Sequence, residues 1–226
     1  MTEFPPLHAL EFETGAEPRA SIILMHGLGA DGGDFAPFVK EIDLHGAGPV
    51  RWVFPNAPHI PVTINGGYVM PAWFDINLDR SKEDEAGLRR SQAAIEGLIA
   101  REKARGVAAS RIVLAGFSQG CAMALLTGLR YPERLAGIVG MSGYLPLASR
   151  LAEERSSANA EVPLFLAHGR QDEMIVLSRA QASRDALQSL GYGVEWHEYD
   201  MPHSVCADEV EDLNHWLLKV LAPANA

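Results

Sequence analysis

Arg111-Ile112-Val113-Leu114-Ala115, then Gly116-Phe117-Ser118-Gln119-Gly120, then the helical-looking run Cys121 to Leu129: this stretch decides how the chain folds. A continuous apolar run of that length suits a strand buried on both faces of a sheet. Strand, G-x-S-x-G and helix in direct succession force a chain reversal within about four residues. The central serine then sits on a sharp, strained turn with its hydroxyl clear of the sheet. The glycines two before and two after it keep side chains out of the space where strand and helix cross. Gln119 opens the helix, so its backbone N–H is an unclaimed donor at a positive helix end. One turn is thus expected to hold a nucleophile and one oxyanion donor. The bland alternative is an ordinary turn carrying a serine of no consequence.

Outward from this point the pattern repeats. The segment through Pro18 reads as a short N-terminal strand or arm, and Ala20 to Met25 as a buried strand. That strand ends in the glycine-rich loop His26-Gly27-Leu28-Gly29-Ala30-Asp31-Gly32-Gly33, and a helix is expected over Phe35 to Ile42. Val50 to Phe54 is a further strand, stopped by Pro55 and Pro58, and Asn56 to Asp79 is expected to be a long irregular stretch. Ser81 to Arg105 has helical spacing, with Leu88, Gln92, Ile95, Leu98 and Ile99 on one face and charges on the other. Beyond the serine turn, Leu135 to Met141, Pro163 to Ala167 and Val194 to Tyr199 read as strands, and Val176 to Leu190 and Ala207 to Leu221 as helices. Tyr144 to Ala160 reads as a loop with one short helix. Such alternation predicts a mostly parallel sheet flanked by helices on both faces, in one α/β domain over residues 1–226.

With 226 residues, 47% apolar and 21% charged, the chain has the make-up of a globular domain with a sizeable core. Its net charge of −10 argues against nucleic acid and anionic membrane as partners, since both need basic patches. Cys121 and Cys206 are too few for a disulfide scaffold and have no zinc-type spacing. Met1 to Leu10 carries acids and prolines where a signal peptide needs a basic end and an apolar run. No apolar stretch approaches the roughly 18 residues of a membrane span. A cytoplasmic, reducing location is the expectation.

A serine hydroxyl needs a base, and histidine suits that task near neutrality. His203, in the loop after the last strand, is the best placed. His26 and His168 also end strands, but each precedes a glycine turn and is expected to bond loop backbone; His197 and His215 read as structural. The base needs an acid to fix its tautomer. Asp172 lies in the loop after the strand between serine and histidine, while adjacent Glu173 and Asp200 compete for the role. Ser118, Asp172, His203 and the His26–Gly29 loop all fall at the carboxyl ends of strands, where sites form in open α/β sheets. Gly27 to Gly32 also matches the G-x-G-x-x-G dinucleotide pattern, but the next strand ends in Pro55-Asn56 rather than in a ribose-holding acid. As an oxyanion loop, the same glycines bring the Leu28 N–H to a developing negative charge beside the Gln119 N–H. No metal or organic cofactor is called for.

Taken together, His26-Gly27-Leu28-Gly29, Pro55-Asn56-Ala57-Pro58, Trp73-Phe74-Asp75, Gly116-Phe117-Ser118-Gln119-Gly120, Asp172 and Pro202-His203 resemble the small carboxylesterase and acyl-protein thioesterase family of α/β-hydrolases. The resemblance covers nearly the whole chain, and Ile64-Asn65-Gly66-Gly67-Tyr68 looks most like its bacterial carboxylesterase branch. It implies an α/β-hydrolase fold without a separate lid domain, a Ser118–Asp172–His203 triad, and Leu28 and Gln119 as oxyanion donors. It also implies a substrate pocket edged by Leu28, Trp73 and the loop Met174 to Val176, and a possible homodimer. Asp75 is expected to pin its loop through hydrogen bonds. Cys121 departs from the pattern, since the family usually has another glycine there. The expected activity is hydrolysis of short- to medium-chain carboxylic esters, or of thioesters as in an acyl-protein thioesterase. The rival classes are a nucleotide-binding oxidoreductase and a non-catalytic binding module on the same scaffold.

Overall fold

The computed structural model describes residues 6–79 and 82–222. The expected helix start at Ser81 and the first five residues of the N-terminal segment lie outside them. In chain order the elements are β1 (Ala9–Glu13), β2 (Ala20–Met25), α1 (Phe38–Glu41), β3 (Val50–Pro55), β4 (His59–Val62) and β5 (Tyr68–Pro71). There follow α2 (Glu85–Ala104), β6 (Ile112–Phe117), α3 (Gln119–Arg130), β7 (Gly137–Met141), α4 (Leu151–Glu154), β8 (Leu164–Gly169), α5 (Leu177–Ser189), β9 (Val194–Tyr199) and α6 (Ala207–Val220).

Seven strands form one sheet in the order β1-β3-β2-β6-β7-β8-β9. Only the edge pair β1–β3 is antiparallel; every other neighbour is parallel. Side chains alternate across a strand, so a strand buried on both sides must be apolar throughout. All six residues of β2 are buried. Its Ile23 and Met25 join the layer that holds Leu88 and Ile95 of α2 and Met123 of α3. Its Ile22 and Leu24 join the opposite layer, with Phe38 of α1 and Leu213, Trp216 and Leu217 of α6. The mostly parallel sheet with helices on both faces is the α/β-hydrolase fold. Among the described residues, no helix is long and apolar enough to cross a membrane.

Three local expectations need correction. The helix expected over Phe35 to Ile42 is a single 3-10 turn (Gly32–Phe35) followed by the one-turn α1. Pro37 stands at the head of α1 and has no N–H to carry a helical ladder through. The stretch expected to be irregular carries the antiparallel hairpin β4–β5, with His59 opposite Pro71 and Pro61 opposite Val69. Gly66 (φ 68°) and Gly67 (φ 79°) turn it, and a two-stranded ribbon tolerates its prolines because one side of each strand is unbonded. Glu102 of α2 is fully buried rather than solvated. It accepts hydrogen bonds from Ser21 Oγ (2.6 Å) and Arg51 Nη1 (2.8 Å), which join the helix to the sheet.

A second buried acid lies in the first turn of α6. Glu209 is fully buried, and among the described residues its carboxyl oxygens have no well-formed hydrogen bond, only a weak approach from the Cys206 backbone N–H. The helix N-terminus favours its anion, but loss of water outweighs that, and burial pushes its pKa up to about 8. Above the ordinary carboxylate range the folded chain therefore holds a proton that the unfolded chain has released. Stability linked to this group is complete at low pH and is lost as pH rises through about 8. Glu209→Gln is expected to raise the melting temperature, with a gain larger at about pH 9 than at about pH 5. Thermal scans of both proteins across that range check this, and a gain independent of pH contradicts it.

Candidate active site

The turn between β6 and α3 holds Ser118 at φ 56° and ψ −115°, a strained conformation for a residue with a side chain. Glycine on either side is obligatory. A Cβ on Gly116 would lie 2.1 Å from the Gly120 backbone, and one on Gly120 would lie 2.0 Å from Met25 O. The Ser118 N–H donates to Met141 O (2.9 Å), which ties the strained residue to the end of β7. Gln119 is the first residue of α3, and its N–H has no protein acceptor among the described residues.

β8 and β9 bring the other two groups in. Their parallel pairing continues past the strand ends: Arg170 N–H donates to Tyr199 O (2.8 Å) and Gln171 N–H to Met201 O (3.1 Å). A Cβ on Gly169 would stand 2.3 Å from Met201 O, so a glycine is needed for the two loops to approach. Asp172 then lies 2.7 Å from His203, between Oδ2 and Nδ1. Its Oδ1 accepts the N–H groups of Met174 (2.9 Å) and Ile175 (2.8 Å). The carboxylate holds the His203 proton on Nδ1, which leaves Nε2 as a lone-pair acceptor 3.0 Å from Ser118 Oγ. Glu173 is exposed, and Asp200 pairs with Arg170 (3.0 Å), so neither competitor occupies the acid's place.

The loop after β2 completes the arrangement. His26 is buried, and its Nδ1 donates to Gly27 O (2.7 Å) while its Nε2 accepts from Ala57 N–H (3.0 Å). Burial lowers its pKa and keeps the ring neutral in that one tautomer. The Leu28 N–H has no protein acceptor among the described residues, while the Gly29 N–H is anchored on Pro71 O (2.8 Å) of β5. Gly32 N–H is claimed by Asn56 Oδ1 (2.7 Å) and Gly33 N–H by Asp31 Oδ1 (2.7 Å), so these glycines do not offer a free phosphate cradle.

A cavity of about 900 Å³ opens over Ser118, lined by Leu28, Gln119, Met174 and His203 among others. Two expected pocket residues do not line it. Trp73 is buried beneath the loop, where its indole N–H donates to His26 O (2.9 Å) and its ring packs on His26. A buried indole needs an acceptor, and the loop carbonyl supplies one. Val176 stands exposed at the head of α5, where its carbonyl accepts from the Arg179 N–H. Ile175, inside the expected Met174 to Val176 loop, lines the cavity, as do Phe117 and Tyr144, which sequence reading passed over. Phe117, adjacent to the serine in the motif, was the one with a signal. Asp75 pins its loop as expected, by accepting from Thr63 N–H (2.7 Å) and Thr63 Oγ1 (2.6 Å).

A model of the phospholipase/carboxylesterase family matches residues 11–221. The chain belongs to that family. It is 37% identical over 221 residues to acyl-protein thioesterase 1 of Yarrowia lipolytica, covering 94% of this chain and 97% of the relative. Among solved structures it superposes on Arabidopsis thaliana SOBER1 with a TM-score of 0.85 at 29% identity, over 90% of this chain and 99% of that one. Zea mays acyl-protein thioesterase 2 gives a TM-score of 0.81 at 29% identity, over 95% and 100% of the two chains. Family membership makes the protein a hydrolase.

Cys121 is accommodated by two glycines. A Cβ on Gly143 would lie 2.5 Å from Cys121 Sγ, and one on Gly140 would lie 2.7 Å from it, so the thiol fills space that alanines would take. Burial pushes its pKa up to about 12, which leaves it an unreactive thiol. Cys121→Ala is expected to keep esterase activity within about threefold. In the native protein, maleimide is expected to label Cys206 and spare Cys121. Near-total loss of activity in the alanine variant contradicts the packing role.

Proposed function

We propose that the chain hydrolyses short- to medium-chain carboxylic esters through an acyl-enzyme on Ser118. The observation that carries this reading is the continuous hydrogen-bonded line from Asp172 through His203 to Ser118, beside the cavity. Ser118 Oγ attacks the ester carbonyl as His203 Nε2 takes its proton. The oxyanion forms between the free N–H groups of Leu28 and Gln119. His203 then returns the proton to the departing alcohol, and Asp172 stabilises the imidazolium in between. Water repeats the cycle on the acyl-enzyme. Met174 forms part of the substrate wall. A cavity of about 900 Å³ is ample for a medium acyl chain. The two apolar layers share one sheet, which supports a single α/β-hydrolase domain.

Thioesters are the second reading, favoured by the relatives named acyl-protein thioesterases at 37% identity over most of the chain. The same attack and the same oxyanion donors serve a thiol leaving group. The engaged N–H groups of Gly32 and Gly33 weigh against a dinucleotide in that loop.

The test is kcat/KM on p-nitrophenyl esters from acetate to laurate, with matched thioesters. Ser118→Ala is expected to abolish turnover, and Asp172→Asn to lower kcat by about three to four orders of magnitude with the fold intact. Full activity in Ser118→Ala overturns the mechanism. Because the base must be neutral, activity is expected to fall in acid; a rate unchanged down to about pH 4 counts against His203 in that role.

A further inference from the structure

Asp172 faces two imidazoles. His203 takes one side of Oδ2, and His168 Nε2 stands 3.4 Å from the same oxygen on the other. His168 lies near the end of β8, four residues before Asp172, and its ring is fully buried. Its Nε2 is 2.7 Å from Ile175 O. A carbonyl can only accept, so the proton of this ring sits on Nε2. Burial lowers its pKa and keeps it neutral, and Nδ1 has no partner among the described residues. The Nε2 proton is therefore given to Ile175 O, and Asp172 Oδ2 is a longer polar contact at the other end of one short turn. Oδ1 of the same carboxylate accepts the N–H groups of Met174 and Ile175, so the turn is closed from both sides.

We infer that His168 is a positioning residue for the reaction: its Nε2–H, bonded to Ile175 O, holds the turn that keeps Asp172 Oδ2 in line with His203 Nδ1. This inference rests on the assignment of Asp172 and His203 as acid and base. A ring needed only for bulk would be better as phenyl, because a buried Nδ1 without a partner is a cost that phenyl avoids. Neutrality matters as well. A cation in this place would compete with the His203 imidazolium for Asp172, whereas a neutral ring holds the turn without cancelling the carboxylate's charge.

The experiment compares His168→Gln, His168→Asn and His168→Phe in the full chain, with Ser118→Ala and Asp172→Asn alongside. It reads kcat and KM on p-nitrophenyl butyrate per folded molecule, with folding followed by near-ultraviolet circular dichroism. The glutamine amide nitrogen takes the place of imidazole Nε2, and His168→Gln is expected to keep kcat within about threefold. The asparagine amide falls at the Nδ1 position, and phenylalanine has no donor. Those two are expected to lower kcat by about 10- to 100-fold with KM changed by less than about threefold. Native kcat in the asparagine and phenylalanine variants overturns the assignment, as does equal loss in all three or failure of both to fold, since each makes the ring a packing group. If phenylalanine alone fails to fold, the glutamine–asparagine contrast decides by the same criterion. Undiminished kcat in Ser118→Ala or Asp172→Asn sinks the triad itself; with both inactive, the His168 series judges this inference alone.

Discussion

The whole arrangement depends on a crossing so tight that it excludes a Cβ. β6 and α3 pass each other at Gly116 and Gly120 with no room for a side chain, and the chain between them is bent until Ser118 has a positive φ. Such a conformation costs on the order of 1–3 kcal/mol and persists only where the surroundings over-determine it. Here they do. Met141 O holds the Ser118 N–H, and Met25 O stands against Gly120, so the neighbouring parallel strands β7 and β2 grip the turn from both sides. The strain aims the hydroxyl outward and leaves the Gln119 N–H free at the head of α3.

A second set of contacts joins the loop after β2 to the same turn. The Gln119 side chain accepts from Trp73 N–H (3.0 Å) and donates to Phe74 O (2.9 Å), while Ser91 Oγ donates to Trp73 O. Trp73 in turn holds His26 O. Gln119, whose backbone N–H is free at the head of α3 among the described residues, thus also ties down, through its side chain, the segment beneath the loop after β2. Buried polar groups of this kind are costly unless fully paired, and here they are paired. Backbone donors fixed in this way need little reorganisation as charge develops, which is the source of oxyanion stabilisation.

The Asp172–His203 pair is organised by different means. β8 and β9 extend their ladder by two further hydrogen bonds, and the glycine at the end of β8 lets the two loops touch. Asp172 and His203 are 31 residues apart but meet because the ladder continues beyond the strands. The site therefore draws on β2, β6, β8 and β9, which all deliver their carboxyl ends to one edge of the sheet.

Much of this was legible in the residues. Continuous apolar runs specify strands buried on both faces, and glycines two places either side of a serine specify the turn, because both signals are local. Asp172 and His203 were legible through chain order and strand ends. What the sequence left open was decided by contacts between distant segments. The family resemblance makes Trp73 a pocket residue, but the His26 carbonyl draws its indole N–H inward. The hairpin β4–β5 was hidden because its prolines and glycines read as loop until strand pairs with strand. Glu102 reads as part of a charged helix face, yet it is buried against Arg51. The choice of Asp172 over Glu173 and Asp200 likewise belongs to the tertiary structure. Local patterns determined the strands, the turn and the chemistry on offer; only packing at the sheet edge decided which side chains face the cavity and which hold it up.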